Sequence, residues 1–496
     1  MISTSATAPQ QSNWRQDTAT RAPQVPLTAP QAPDMSRVFE TIADGYDYAV
    51  TEVEGRIPAE LRGTLYRNGP SRNEITGTPF AHLFDGDGML SQFVFSGDGV
   101  HYRNRFVRTN HYLGERSASE PRYRGFGAQR AGGPLANAFR LPTASNPANT
   151  SVVLHASNLL ALWEGGHPWR LDPDTLATLG EEDFGGALKR AHTFSAHPKL
   201  DPSTGELFNF GVHYGPRTHI RTYRIDRAGR LRYLQPVTLP YPVLNHDFAL
   251  TAKHMVFVIN PLILRTARFL MGFSSYDQAL RWDPSRATRI ILVPRDGGRP
   301  RVAECDPFFH FHFANAYEDG SDTVIDLCRY EDFAIGELLR NFKGASDISA
   351  HSSLWRLRVA PTGKVQQSEL CPFQAEFPQL DTTRTGERNR YTYLAARPTG
   401  PGYPTAVVKL DNDTGQSRVF DLGVGVGEPI FVPRPARREE DDGWLLSLVY
   451  DGAQHRSRLY VLDARDIEGE PLAIAHLPHH VPYGFHGTFT PRLATT

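Results

Sequence analysis

Nineteen histidines are many for a chain of 496 residues, and four of them stand where an imidazole can be aimed at something. They are His197 in Ser195-Ala196-His197-Pro198-Lys199, His246 in Asn245-His246-Asp247-Phe248, His312 in Phe311-His312-Phe313-Ala314-Asn315, and His486 in Gly484-Phe485-His486-Gly487-Thr488. Each lies at the edge of an apolar run beside Gly, Pro or Asn, which places the ring at a strand end facing a loop. Intervals of 49, 66 and 174 residues separate them, so no single helix or ribbon unites them. An architecture whose inner strands converge on one axis can. Four imidazoles meeting there would form a neutral nitrogen cage, and imidazole suits Fe(II), Zn, Cu and Ni alike. An octahedral ion held by four such ligands keeps two positions for O2 or substrate. The competing reading from spacing alone is that these histidines only hydrogen-bond strand ends.

The elements that must position them read as short strands. Leu65–Arg67, Gln92–Phe95, Val152–Leu154, Leu159–Trp163, Leu207–Phe210, Thr222–Ile225, Met255–Ile259, Arg289–Val293, Val324–Cys328, Tyr391–Leu394, Ala406–Leu410, Trp444–Tyr450 and Arg458–Leu462 are apolar, β-branched or aromatic. Asp-Pro, Asp-Gly and Pro-Thr-Gly turns separate them. No linker or composition shift divides residues 36–496, so one all-β domain is expected. A propeller of about seven blades, at roughly 60–65 residues each, suits that length better than a sandwich, with a loop and helix cap on the binding face. Only Asn260–Thr288 lacks strand alternation, and it reads as helices or lid-like loops.

Composition sets outer limits. Forty percent hydrophobic and 22% charged residues describe an ordinary globular protein, and 42 Gly with 38 Pro favour short strands and turns. A formal net charge of -1 gives no basic field for nucleic acid. Three scattered cysteines, Cys305, Cys328 and Cys371, make neither a disulfide framework nor a Cys-type zinc site, and they read as inert thiols in a reducing, cytoplasmic setting. Residues 1–35, rich in Ala, Thr, Gln, Ser and Pro, read as a disordered tail without a secretory h-region. No stretch reaches the roughly 20 apolar residues of a membrane span. Asp85-Gly86-Asp87-Gly88 lacks the spacing and closing Glu of a calcium loop and reads as a tight turn. Gly125-Phe126-Gly127, with no Lys-Ser/Thr after it, is not a phosphate loop.

Eight segments in order carry a resemblance: Leu61–Pro70, Phe84–Met89, Leu162–Gly166, Ala196–Pro198, His246–Ala249, Phe311–Glu318, Gly427–Pro429 and Gly484–Thr488. With them the chain resembles the carotenoid cleavage oxygenases, the retinal pigment epithelial membrane protein family, over nearly its whole length from about Val53. The resemblance implies a seven-bladed propeller whose axial Fe2+ is bound by His197, His246, His312 and His486. Strand alternation leaves His310 as a competitor for the third ligand, and the family pattern, with the ligand three residues before Asn315 and six before Glu318, selects His312. The resemblance further implies that Glu164, Glu376 and Glu428 take the outer N–H of metal-bound imidazoles, an arrangement that fixes tautomer and orientation. Thr150 matches a family Thr close to the open position of the iron.

The branch it most resembles is the bacterial apocarotenoid 15,15′-oxygenases, through Trp163-Glu164-Gly165-Gly166 and the stretch Tyr123–Leu141. Stilbene-cleaving branches carry a lysine just before the first of these glutamates, where this chain has Trp163, an apolar wall for a polyene. Phe311 would face the same tunnel. The implied reaction is cleavage of a C=C bond of an apolar polyene by O2, with both oxygen atoms, or one and one from water, ending in two carbonyl products. Rival readings are a stilbene-cleaving dioxygenase, a retinoid isomerase-like iron enzyme, a zinc hydrolase and a non-catalytic interaction propeller. Leu262–Phe273 is strongly apolar, with Arg265 and Arg268 interspersed. It reads either as an interfacial patch, with Leu264 and Phe269 dipping into lipid, or as an internal lid helix.

Overall fold

The computed structural model describes residues 33–97, 99–139, 145–343 and 350–496. The tail expected over residues 1–35 lies outside the described residues up to residue 32, and so do Arg140 and Leu141 at the end of the Tyr123–Leu141 stretch. Met35 and Val38 already belong to the buried core.

Seven antiparallel sheets surround one axis, and they are numbered here as blades I to VII. Blade I runs from an outer strand Asp47–Ala49 through Val100–Phe106, Asp87–Ser96 and Arg62–Arg72 to an inner strand Gly487–Thr490. Blades II to VI each take four strands, consecutive in the chain except in blade IV, where a separate hairpin intervenes; their inner strands are Ser151–His155, Lys199–Leu200, Ala249–Leu250, Phe309–Asp319 and Gln374–Gln379. Blade VII has Gly425–Val426 and Ile430–Pro433 innermost, and its outermost strand, Val53–Gly55, comes from the other end of the sequence. The ring is therefore latched twice: the last strand of the chain completes blade I, and an early strand completes blade VII. Closure leaves no inner edge to pair with another molecule.

Sequence pattern explains the stacking. Along a strand, successive side chains point to opposite faces. In blade II, Leu159 and Ala161 pack against Tyr66 and Leu90 of blade I, while Leu160 and Leu162 pack against Leu207 and Tyr223 of blade III. Middle strands are thus buried on both faces, which is why they read as unbroken apolar runs. Each of the seven blade interfaces has its own apolar cluster, such as Phe210 on Phe248 and Phe257 between blades III and IV. A further cluster joins Leu83, Phe126, Phe269, Tyr276, Phe311, Leu339 and Phe485.

The interval Asn260–Thr288 holds two short helices, Thr266–Leu270 and Tyr276–Ala279, flanked by a hairpin of Leu262–Leu264 with Leu280–Trp282. The Asp85-Gly86 turn and the Gly125-Phe126-Gly127 loop, separate features in the sequence, are one unit: the Asp85 carboxylate accepts the Phe126 N–H at 2.7 Å and the Gly127 N–H at 3.0 Å. The cysteines are free, and burial pushes the Cys305 thiol up to about 12.

Candidate metal centre

Each blade brings a polar side chain toward the axis from just before its inner strand or from within it, and Glu164, after the second strand of blade II, joins them. His486 immediately precedes the inner strand of blade I, Thr150 that of blade II, and His197 and His246 stand two and three residues before those of blades III and IV. His312 and Glu376 lie within the inner strands of blades V and VI, and Glu428 lies between the two inner segments of blade VII. The loop to His486 is seated by close backbone approach, since a Cβ on Gly69 would lie 2.4 Å from the Gly484 Cα.

The four histidines are buried, and one ligand atom from each lies within 4.8 Å of the others. His197 Nε2 is 2.8 Å from His246 Nε2, and His312 Nε2 is 3.1 Å from His486 Nε2. On the outer nitrogens, His246 Nδ1 meets Glu164 at 2.9 Å, His312 Nδ1 meets Glu376 at 2.6 Å, and His486 Nδ1 meets Glu428 at 2.9 Å. A carboxylate on Nδ1 keeps the ring proton there and turns the Nε2 lone pair inward. Burial holds His197 well below the ordinary imidazole range and pushes His486 down to about 4. His312 is raised, because Glu376 outweighs the effect of burial. Facing imidazole nitrogens at contact distance repel unless a proton or cation lies between them. Three Nε2 lone pairs turned inward by carboxylates on the opposite ring nitrogens, with a fourth imidazole beside them, make a donor set that fits a metal ion. His310, the sequence competitor, is also buried but stands outside the group, its ring against Phe313 at 4.7 Å, and burial lowers it to about 3.

One cavity opens on this centre, and a second lies on the far side of Glu164. The first, of about 130 Å³, is walled by Phe84, Phe311, Phe377, Tyr403 and Phe485 and reaches His246, His312, His486 and Thr150. The other, of about 310 Å³, is lined by Trp163, Glu164, Tyr214, Leu264, Phe269 and Tyr276. Neither has a Lys or Arg among its described lining residues. The Thr150 hydroxyl donates to Asn149 Oδ1 at 3.1 Å. Leu264 and Phe269, expected from the sequence as lipid contacts, are instead buried. Hairpin alternation turns Leu262 and Leu264 inward, and Phe269 packs beneath the Arg124 guanidinium and against Tyr276. The exposed apolar side chains here are Met271 and Phe273, at 48% and 56%, with Leu135 and Phe139 at 94% and 80%. Phe139 N–H donates to Leu270 O at 2.7 Å, so both pairs belong to one surface.

Sequence reasoning missed several contributors. Arg67 is buried and donates to Glu428 at 2.5 Å, and Gln379 Nε2 donates to the same carboxylate at 2.8 Å. Phe377 has a positive φ of 53° at a register shift in blade VI, which aims its ring beside His312 and His486. A non-glycine residue in that region costs roughly 1–3 kcal/mol, and such strain gathers at functional sites. The sole sequence signal for Arg67 is a charge inside an apolar strand; Phe377 gives none.

The comparisons agree with this geometry. The family described as Retinal pigment epithelial membrane protein matches residues 39–491. The apocarotenoid-15,15'-oxygenase of Synechocystis is 38% identical over 470 residues, covering 92% of this chain and 96% of that protein. The isoeugenol monooxygenase of Pseudomonas nitroreducens is 31% identical over 465 residues, covering 89% and 94%. The crystal structure of cobalt-substituted Synechocystis ACO superposes with a TM-score of 0.87 at 37% identity, covering 93% of this chain and 99% of that one. With its propeller, its converging histidines and this extent of likeness, the chain belongs to the retinal pigment epithelial membrane protein family.

Proposed function

We propose that this protein is a non-haem Fe(II) oxygenase that cleaves a C=C bond of an apocarotenoid with O2 to give two aldehydes of the retinal type. One propeller domain over residues 36–496 would carry the activity, and the short helices lining the cavities would serve as its cap. The observation that carries the reading is the group of four buried Nε2 atoms at the end of an apolar, aromatic-walled cavity. His197, His246, His312 and His486 would hold the ion, and Glu164, Glu376 and Glu428 would keep three of the rings oriented. When bound, ferrous iron supplies the binding and reduction of O2. The chain itself positions a rigid polyene across the centre, excludes water with Phe311, Phe377 and Trp163, and presents Thr150 beside the reacting bond. No general acid or base is needed, because the C=C bond and O2 together balance to two carbonyls with no proton gained or lost.

The isoeugenol monooxygenase relatives raise phenolic substrates as the alternative. The absence of any cation from the described lining of both cavities favours the polyene. Among the described residues no helix is long and apolar enough to cross a membrane. Peripheral contact from the cytoplasmic side would run through Leu135, Phe139, Met271 and Phe273 rather than through Leu264 and Phe269. The test is anaerobic loading with Fe(II), then exposure in air to apocarotenals and stilbenols, with products identified by mass. Retinal-type aldehydes from the polyene are expected. Turnover of stilbenols alone, or products without loaded metal, would overturn the proposal.

A further inference from the structure

The histidines of blades III, IV and V sit where the backbone ladder is weakest. The inner strands of blades III and IV make two residue pairs each, Lys199↔Phe208 with Leu200↔Leu207, and Ala249↔Val256 with Leu250↔Met255. His197 and His246 precede these pairs and lie outside the ladders. The inner strand of blade V is long, but its register slips between His310 and Phe313 and again between Phe313 and Asn315, so His312 stands within an irregularity.

One carboxylate reaches all three places. Asp247, the residue after His246, is 1% exposed. Its Oδ1 is 2.9 Å from Lys199 Nζ, two residues beyond His197. Its Oδ2 accepts the Phe313 N–H at 3.0 Å, one residue beyond His312, and Oδ1 also accepts the Phe248 N–H at 2.8 Å. The Phe313 N–H of blade V is thus held by a side chain of blade IV. The same carboxylate pairs with the cation of blade III.

We propose that Asp247 is a positioning residue of the metal centre, fixing the mutual spacing of the chain segments that carry His197, His246 and His312. This rests on the reading of those histidines as ligands. Metal–nitrogen distances must be kept within about 0.2 Å, and strands held by so few ladder bonds cannot do this without side-chain ties. Both Asp247 oxygens accept, so an amide cannot replace the carboxylate. Whichever way Asn turns, its NH2 faces either Lys199 and the Phe248 N–H or the Phe313 N–H, and one tie becomes a contact between donors.

The test uses the full chain with Co(II) as probe metal. Metal-free wild type, D247N and K199M are titrated with Co(II), and the visible spectrum of the bound ion and the thermal midpoint without metal are recorded. Loss of outer supporting contacts typically weakens metal binding 10–100-fold. D247N is expected to raise the Co(II) Kd by about that factor and to shift the cobalt bands. K199M, which removes only the blade III tie, is expected to raise it by a smaller but measurable factor. An unchanged Kd and spectrum in a folded D247N would overturn the proposal. Should D247N not fold, K199M decides, and a wild-type Kd and spectrum there would equally overturn it. Failure of wild type itself to bind Co(II) would instead defeat the reading of the histidines as ligands.

Discussion

Glu428 does two jobs that the other two glutamates do not share, and replacing it with Gln separates them. Its Oε1 accepts from His486 Nδ1 at 2.9 Å and Gln379 Nε2 at 2.8 Å; its Oε2 accepts from Arg67 Nη1 at 2.5 Å and the Gly487 N–H at 2.8 Å. An amide has one accepting oxygen. If that oxygen serves Arg67 and Gly487, the NH2 faces His486 Nδ1, and the ring satisfies it only by moving its proton to Nε2, where it opposes ligation. If the amide turns over, Arg67 is left buried beside a donor with no anion. Leaving one partner of a buried ion pair uncompensated costs about 3–5 kcal/mol. Glu164 touches no Lys or Arg within salt-bridge distance and its side chain is 14% exposed, so E164Q should lower metal affinity about 10–100-fold and leave metal-free stability nearly unchanged. Urea unfolding of the metal-free variants, beside Co(II) titration, reads both effects. E428Q should lose about 3–5 kcal/mol of metal-free stability as well as metal affinity. Equal metal-free stability in E428Q and E164Q would refute the reasoning.

Replacing Leu135, Phe139, Met271 and Phe273 together with Ser should abolish liposome binding while sparing turnover of detergent-dispersed substrate; unchanged flotation with liposomes would reject the patch. L264S and F269S, by contrast, should lower the thermal midpoint, since both side chains are buried. His111 is buried, and although burial opposes its charge, Asp87 and Glu115 at 3.2 Å each raise it to about 9 from 6.5. Its stabilising effect is complete below pH 6.5 and lost as pH rises through about 9, so the thermal midpoint gap between wild type and H111Q should shrink over that window. A gap independent of pH would show that His111 is not held charged. Because its hydroxyl is committed to Asn149, Thr150 should act through shape: T150V should keep turnover within roughly fivefold, the worth of one neutral hydrogen bond, and T150A should lose more. Equal losses in the two variants would assign the role to the hydroxyl.

The residues that lie along strands were the legible ones. A run such as Leu159–Leu162 is apolar without interruption because both its faces are buried, and that composition is visible in a single sequence. The four histidines were legible as exceptions at the ends of such runs. Their convergence was not, because it depends on closure between Val53–Gly55 and Ala473–His476 and between Gly487–Thr490 and Arg62–Arg72, pairings separated by hundreds of residues. Contacts that cross between blades through a side chain were also hidden. Asp247 follows a histidine and looks like any turn carboxylate until Lys199 and Phe313 arrive from neighbouring blades. The apolar surface was misplaced for a related reason: hydrophobicity identifies Leu262–Phe273, but only the hairpin with Leu280–Trp282 decides that Leu264 points inward and Phe273 outward.

Charge bookkeeping around the axis explains why these carboxylates are not interchangeable. Asp247 is paired with Lys199, and Glu428 with Arg67, so each couple is neutral before any ion is considered. Among the described residues Glu164 and Glu376 form no ion pair with Lys or Arg; they pair with His246 and His312. With all four imidazoles neutral, as ligation requires, the two remaining carboxylates equal the charge of one divalent cation. With such an ion the whole buried group sums to zero, the condition under which charge can be held beside apolar cavities without a large desolvation penalty. A trivalent ion would leave an excess positive charge there, and a monovalent one an excess negative charge. The arrangement thus matches a divalent ion in charge as well as in donor type.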